Sequence, residues 1–567
     1  MFATLPTAYP EFIHWTWPQF EPYYQDLSAR TLTTATVAAW LADWSRLSKI
    51  VQETYSRLHV ATTLNTADAE AEKDYHAFLG EVYPQMETAE QVLKQKLLGS
   101  GLEPIGFEIP LRNMRAEAAL FRETNLPLHV ENHKLGSQYN KIIGAQSVTW
   151  NGQELTLQQM RPVTQDSNRA VRERAWRLAS DRWLADRSAI NELWTKLVPL
   201  RKQIALNAGC ADYRDYRWRE LLRFDCTPQD CETFHAAIEE AVVPAATRIY
   251  ERARQRLGVS SLRPWDCDLD RDPLNYPTLH PFENAADLIE KSERIFQHVD
   301  PQLGEYYSTM RREQLLDLDN RKGKAPGGYC TEYPIAQRPF IFMNAVGIRD
   351  DVRTMLHESG HAFHVFETNH LPYIQQLQVP MEFAEVASMS MELLAAPYLS
   401  EKFGGFYTDP EAARDRIEHL ERIILFWPYM ATVDAFQQWA HTHAEGIDPD
   451  ACDAKWLELQ RRFMPGLDWN SLEEAQMTGW HRKQHIHRSP FYYVEYGLAQ
   501  LGAVQVWRNA LTDQAASLAN YRRALSLGGA QSLPNLFATA GARFAFDART
   551  LREAVELIER VMAQLEA

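Results

Sequence analysis

The sequence predicts a mainly α protein of two or more lobes with a small β component. Apolar residues recur at three- and four-residue spacing over most of the 567 positions, the period of a half-buried helix. That length exceeds what one hydrophobic core serves, so the chain should divide. Strand-like composition is confined to short stretches near 147–157, 264–266 and 339–347.

In chain order, Trp40, Trp44, Leu47, Val51 and Leu58 give a helical stripe over 33–60, and Tyr75, Phe78, Val82, Met86 and Val92 give a second. The polar stretch 62–68 reads as the turn between them. Asn151-Gly152, flanked by short alternating runs, predicts a hairpin. Helix follows over 172–208. Thr227-Pro228 is a helix start, with Thr as cap and Pro in the first turn, and that helix should run to Gly258. A strand is expected at 264–266 and helix over 285–316. Residues 317–334 read as a long loop and 339–347 as a strand, which either offers an exposed edge to an extended peptide or lies buried in the core. Helix is predicted over 411–446 with a bend near Pro428, and again over 550–565.

Composition narrows the function. A hydrophobic content of 45% with 11% aromatics suits a large interior, and a net charge of −16 argues against nucleic-acid and anionic-membrane partners. The six cysteines are scattered without Cys-x-x-Cys, and the first residues show neither a basic start nor an apolar h-region. No run approaches a membrane span. The expectation is a soluble, cytoplasmic protein.

The chemistry concentrates at His357-Glu358-Ser359-Gly360-His361. On a helix His357 and His361 lie one turn apart on one face and can reach one ion, while Glu358 is placed to take a proton from metal-bound water. Tetrahedral zinc needs a third protein ligand besides water. His364 is excluded, because seven residues at 1.5 Å each put it about 10 Å from His357 along the axis. The largely apolar segment 379–394 carries Glu382, Glu385 and Glu392, acids that are costly to bury unless paired or metal-bound. Spacing does not choose among them.

His-Glu-Ser-Gly-His-Ala-Phe-His followed by Glu-Phe-Ala-Glu-Val-Ala-Ser-Met-Ser-Met-Glu-Leu resembles the zinc oligopeptidases of the thimet oligopeptidase and neurolysin family, most nearly the oligoendopeptidase F branch. The resemblance runs from about Gly136 onward, is most specific over 323–394, good over 480–505 and weak before 100. It implies one Zn²⁺ held by His357, His361 and Glu385, the last 385 − 361 = 24 residues past the second His. It implies Glu392 as a partner orienting a ligand His, and Glu358 as the proton carrier for zinc-bound water. It also implies two helical lobes around a deep channel, with a zincin-type core and small sheet, divided as 1–185 and 186–567. Short unstructured peptides are the implied substrates.

Two further stretches take meaning from it. The loop carrying Gly327-Gly328 lacks the spacing of a phosphate-binding loop and resembles Gly-rich loops bordering the active site. With Phe342 and Asn344 on the strand after it, it is a candidate substrate-binding region. In 480–501, His481 and His485 are spaced like a second metal pair, but no acid follows in a fitting place. If helical, Tyr492, Tyr493 and Tyr496 share a face; Phe491 reads as core. The resemblance makes His485, Tyr493 and Tyr496 donors to the substrate carbonyl, with Tyr492 beside them, and leaves open which tyrosine donates. The expected activity is a zinc endopeptidase. The alternatives are a dipeptidyl-carboxypeptidase-type exopeptidase, needing a cationic anchor such as Arg338, Arg482 or Arg488, and a catalytically silent peptide-binding protein.

Overall fold

The computed structural model describes residues 2–268, 271–274 and 279–567. Among the described residues helices dominate, and the strands form one three-stranded and two two-stranded sheets. The chain forms two units, each drawn from separate stretches. One comprises Met1–Ala118, Leu279–Ala413 and Gly502–Phe544; the other comprises Ala119–Thr278, Arg414–Leu501 and Ala545–Ala567. The division expected at 185/186 falls inside the second unit, between helices Arg169–Ala185 and Arg187–Asn207.

The first unit begins around helix α1, Val37–Leu64, whose stripe of Trp40, Trp44, Leu47, Ile50 and Val51 is almost wholly buried. The indole N–H groups of Trp40 and Trp44 stay satisfied, donating to Leu27 O and Glu90. The second stripe departs from expectation. A π-turn at Phe78–Val82 separates helices Ala69–Ala77 and Tyr83–Ser100. Pro84 has no N–H for the Gly80 carbonyl, which suits a widened turn there. The added residue rotates the face, leaving Val92 47% exposed while Leu93 and Leu97 fill the core.

The three-stranded sheet contains β1 (Leu316–Asp319), β2 (Tyr329–Tyr333) and β3 (Arg338–Ala345). Its order is β1-β3-β2, with β3 parallel to β1 and antiparallel to β2. Two expectations change. The 317–334 stretch is strand at both ends, with its loop only between. The 339–347 strand is the central one, so it has no exposed edge to offer a peptide. Its run of Ile341, Phe342 and Met343, at 0 to 2% exposure, is the composition of a strand covered on both faces. The helix expected over 285–316 is two, Ala285–Val299 and Pro301–Arg312, divided where Asp300 caps the second.

After β3 the chain enters α2 (Arg349–Thr368) and, beyond a short connection, α3 (Met381–Ala395). Gly347, at φ +90°, makes a turn that L residues rarely adopt. Asp351 Oδ2 accepts the N–H groups of Val346, Gly347 and Ile348 at 2.8 to 3.0 Å, fixing the entry to α2. Helix α4, Gln514–Ser526, also packs on α2, and its Tyr521 hydroxyl donates to Ala387 O at 2.8 Å.

In the second unit the hairpin pairs Ser147–Trp150 with Gln153–Thr156, turning through positive φ at Asn151 and Gly152. Thr227 is the expected cap, and Asp230 completes a capping box with it, but the helix divides into Pro228–Ala241 and Val243–Leu257. Pro244 cannot continue the hydrogen-bond ladder. Residues 264–266 form a 3-10 turn ahead of a two-residue strand, instead of the strand itself. Asp409–Ala440 is one helix through Pro428. The amphipathic C-terminal helix is Ala548–Glu566. Among the described residues, no helix is long and apolar enough to cross a membrane.

Candidate metal centre

His357 and His361 lie on one face of α2, their rings 5.0 Å apart between centroids. Glu385 enters from α3, with Oε2 3.3 Å from His357 Nε2 and 3.8 Å from His361 Nε2. These three are, among the described residues, the one group of His, Cys, Asp and Glu whose ligand atoms cluster tightly enough to hold a metal ion. Both rings keep an opening to solvent, at 24% and 23% exposure, while Glu385 is buried.

The register of α2 on α3 chooses this carboxylate, and Gly360 permits that register. A Cβ at Gly360 would stand 2.6 Å from Ser388 Cα and 2.7 Å from Ala387 O, distances no side chain tolerates. The helices therefore approach through a glycine, one residue before His361. The His-Glu-x-x-His motif does not single out Gly360. Its signal was a glycine inside an otherwise good helix, which costs about 1 kcal/mol relative to Ala unless something needs it.

Neighbours orient the cluster. Glu392 Oε1 accepts from His357 Nδ1 at 2.8 Å, leaving Nε2 directed at Glu385. Ser388 Oγ donates to Glu385 Oε2 at 3.0 Å. Burial alone would lower the pKa of His357, but the carboxylates of Glu385 and Glu392 carry it well above its ordinary value. His361 goes the other way, down to about 4 through burial and then the charge of His357. Glu382, the third acid on α3, is buried and belongs to no such cluster.

Glu358 is buried beside the histidines, and burial raises its carboxyl to about 7. It accepts a main-chain N–H from Cys330 on β2, which brings that strand to the cluster. β2 pairs only with β3 among the described strands, so its other edge is the unpaired one. Gly327, at φ +104°, leads into it. A Cβ on Gly328 would meet Phe342 O and Thr354 Cγ2 at 3.5 Å, ordinary contact. Two of the expected substrate residues have internal work. Phe342 is fully buried, stacked on Tyr329. Asn344 Nδ2 donates to Ala325 O and Gly327 O at 2.7 and 2.9 Å, tying down the Gly-rich loop.

His485 and the tyrosines belong to the second unit. The helix there starts only at Val494, so Tyr492 and Tyr493 precede it. Pro490 and Phe491, the latter at φ +66°, interrupt the helical pattern; Phe491 is core. The rings gather nonetheless: His485 lies 5.9, 4.9 and 6.1 Å from Tyr492, Tyr493 and Tyr496. Tyr493 is buried, while Tyr492 and Tyr496 are partly exposed. Burial and then the charge of Lys483 lower His485 to about 4.

Residues 163–556 match the sequence profile of Peptidase family M3. The chromosomal oligoendopeptidase F of Lactococcus lactis subsp. cremoris is 22% identical over 57% of this chain and 52% of that protein, so the chain spans about half the length of the curated relative. An X-ray structure described as an oligoendopeptidase F shares 26% identity and a TM-score of 0.85 over 99% of this chain and 98% of that one. PZ peptidase A, solved with an inhibitor, shares 24% identity and a TM-score of 0.86 over 100% and 99% of the two chains, a likeness of fold. The chain therefore belongs to Peptidase family M3, within its oligoendopeptidase F branch.

Proposed function

We propose that the protein is a zinc-dependent oligoendopeptidase, hydrolysing internal bonds of short unstructured peptides. The observation that carries this is the convergence of two imidazole nitrogens and one carboxylate oxygen on a partly open point. Ligand atoms around tetrahedral zinc at 2.0 to 2.2 Å stand about 3.3 to 3.6 Å apart, and the two His–Glu385 separations here are 3.3 and 3.8 Å. Two nitrogens and one oxygen also suit that ion's preference. His357 Nε2, His361 Nε2 and Glu385 Oε2 would hold it. Bound there, zinc supplies a Lewis acid that polarises a carbonyl and acidifies water.

The chain's own groups do the rest. Glu358 is the proton carrier: its carboxylate takes a proton from the attacking water and returns it to the leaving amine. The Cys330 N–H fixes the position of that carboxylate. Glu392 keeps a proton on His357 Nδ1, so Nε2 stays a donor of electrons to the metal. The unpaired edge of β2 holds the substrate main chain in extended form without reading side chains. His485, Tyr493 and Tyr496 are the hydrogen-bond donors to the developing oxyanion that the resemblance implies.

The test is a peptide blocked at both ends, incubated with zinc-loaded protein and analysed by mass spectrometry. Internal cleavage is expected. Cleavage of the free-ended peptide alone would replace the endopeptidase reading with the exopeptidase one.

A further inference from the structure

The second unit carries an amine to which no described residue offers a hydrogen-bond acceptor. Lys483 sits in extended backbone between the turn Thr478–Arg482 and the short helix Gln484–Arg488. Its Nζ stands 3.9 Å from the centroid of Tyr493 and 5.3 Å from that of Tyr429. Among the described residues, no carboxylate or carbonyl accepts a hydrogen bond from it. Its charged neighbour is Arg271, which faces Tyr429 at 5.2 Å and pairs with Asp272 at 3.1 Å, so Arg271 adds repulsion and no acceptor. Burial and that repulsion lower the amine to about 7. Next to it His485 Nδ1 is buried without a hydrogen-bond partner, its ring against the same Tyr493.

Half-buried ammonium groups are normally paired, and aromatic faces replace only part of the lost hydration. The other cations considered as anchors are engaged or outward. Arg338 pairs with Glu313 at 2.7 and 3.0 Å, Arg482 lies over Trp183, and Arg488 is exposed. A ligand carboxylate is the group that would satisfy Lys483 and relieve the like charge of Arg271. We propose that Lys483, with Tyr429, Tyr493 and His485 around it, forms a carboxylate-binding subsite for peptide ligands. This rests on reading the protein as a peptidase. Two sources supply that chemistry, the C-terminal carboxylate or an Asp or Glu side chain.

The experiment is equilibrium binding of fluorescent peptides to the full-length, zinc-loaded Glu358→Gln protein, where turnover does not interfere. One pair of peptides differs only as C-terminal acid and amide; another, both amidated, differs only as internal Glu and Gln. The charged member of at least one pair should bind about tenfold to a hundredfold tighter, as for a hydrogen bond between charged groups. The pair that responds identifies the source. Adding Lys483→Met should erase the preference and Lys483→Arg should keep part of it, with all proteins melting within a few degrees of one another. Peptides that bind with no charge preference, or a preference that survives Lys483→Met, would overturn the subsite. Equal weakening of all four peptides would also overturn it, leaving Lys483 as a support for Tyr493. If no peptide binds at all, the peptidase reading falls and the subsite with it.

Discussion

Of the three histidine pairs spaced four residues apart, His129/His133, His357/His361 and His481/His485, only His357/His361 joins a metal-sized cluster among the described residues, and its contrast with His481/His485 shows why. His357 and His361 are four residues apart on an unbroken twenty-residue helix. His481 and His485 are also four apart, but Lys483, extended at φ −92° and ψ 97°, lies between them. In the first pair the spacing becomes a shared face, and a second helix adds Glu385. In the second, His481 is buried with its Nε2 unpartnered, and no acid among the described residues joins the two rings. The electrostatics diverge as well. Carboxylates raise the pKa of His357, whereas burial and the ammonium of Lys483 lower that of His485. A motif is thus a statement about geometry only where the backbone between its residues is regular, and its chemistry is set by the charges packed around it.

The largest effect that sharpens this contrast is on turnover. His361→Ala or Glu385→Ala should abolish peptide cleavage, a loss on the order of a thousandfold or more, because the ion and its Lewis acidity go together. His481→Ala should leave the rate within about threefold when assayed below its melting temperature. A comparable loss in both would erase the distinction. Next, Glu358→Gln should reduce kcat by about 10² to 10⁴, the usual worth of a general acid–base, while the zinc content measured after dialysis stays the same.

A smaller change is expected at the supporting residues. Glu392→Gln should weaken zinc affinity about 10- to 100-fold, as for other carboxylates that hold a ligand histidine, measured by competition with a chelator. Gly360→Ala should cost about 1 to 3 kcal/mol in unfolding free energy, since the helices must separate to admit a methyl group. It should weaken zinc affinity too, which a mere loss of stability would not do.

The last effect is read as a slope with pH. Burial lowers both His364, in the first unit, and His487, in the second, to about 3. Both are neutral when folded and regain an ordinary value near 6.5 when unfolded. The unfolded chain therefore binds more protons between those values, and stability is full above about pH 6.5 and falls as pH drops toward 3. A melting temperature flat from pH 5 to pH 7 would contradict the neutral, buried state of these rings.

Much of the first cluster was legible because its information is local. The His-Glu-x-x-His geometry follows from one uninterrupted helix, and its capping acids are visible in the sequence. Choosing Glu385 over Glu382 and Glu392 was not local. All three share α3, and the choice depends on the register of α3 against α2, fixed by the contact at Gly360. Spacing carries no trace of that register, so only the resemblance pointed to Glu385. β1 and β2 were hidden inside an apparent loop because Leu-Asp-Leu-Asp and Tyr-Cys-Thr-Glu-Tyr are short and partly polar. Their partner β3 lies between them in space while following both in sequence. The tyrosine cluster was anticipated on a helix, yet Pro490 and Phe491 start that helix later. Ring contacts gather the side chains all the same, through a turn that helical periodicity does not describe.

The measurement closest to the central claim is an anomalous-difference map at the zinc absorption edge from crystals of the zinc-loaded protein. The account predicts one peak, about 2.0 to 2.2 Å from Nε2 of His357, Nε2 of His361 and Oε2 of Glu385, with none beside His481 or His485. A peak at the second pair, or a Glu385 side chain turned away from the ion, would contradict it.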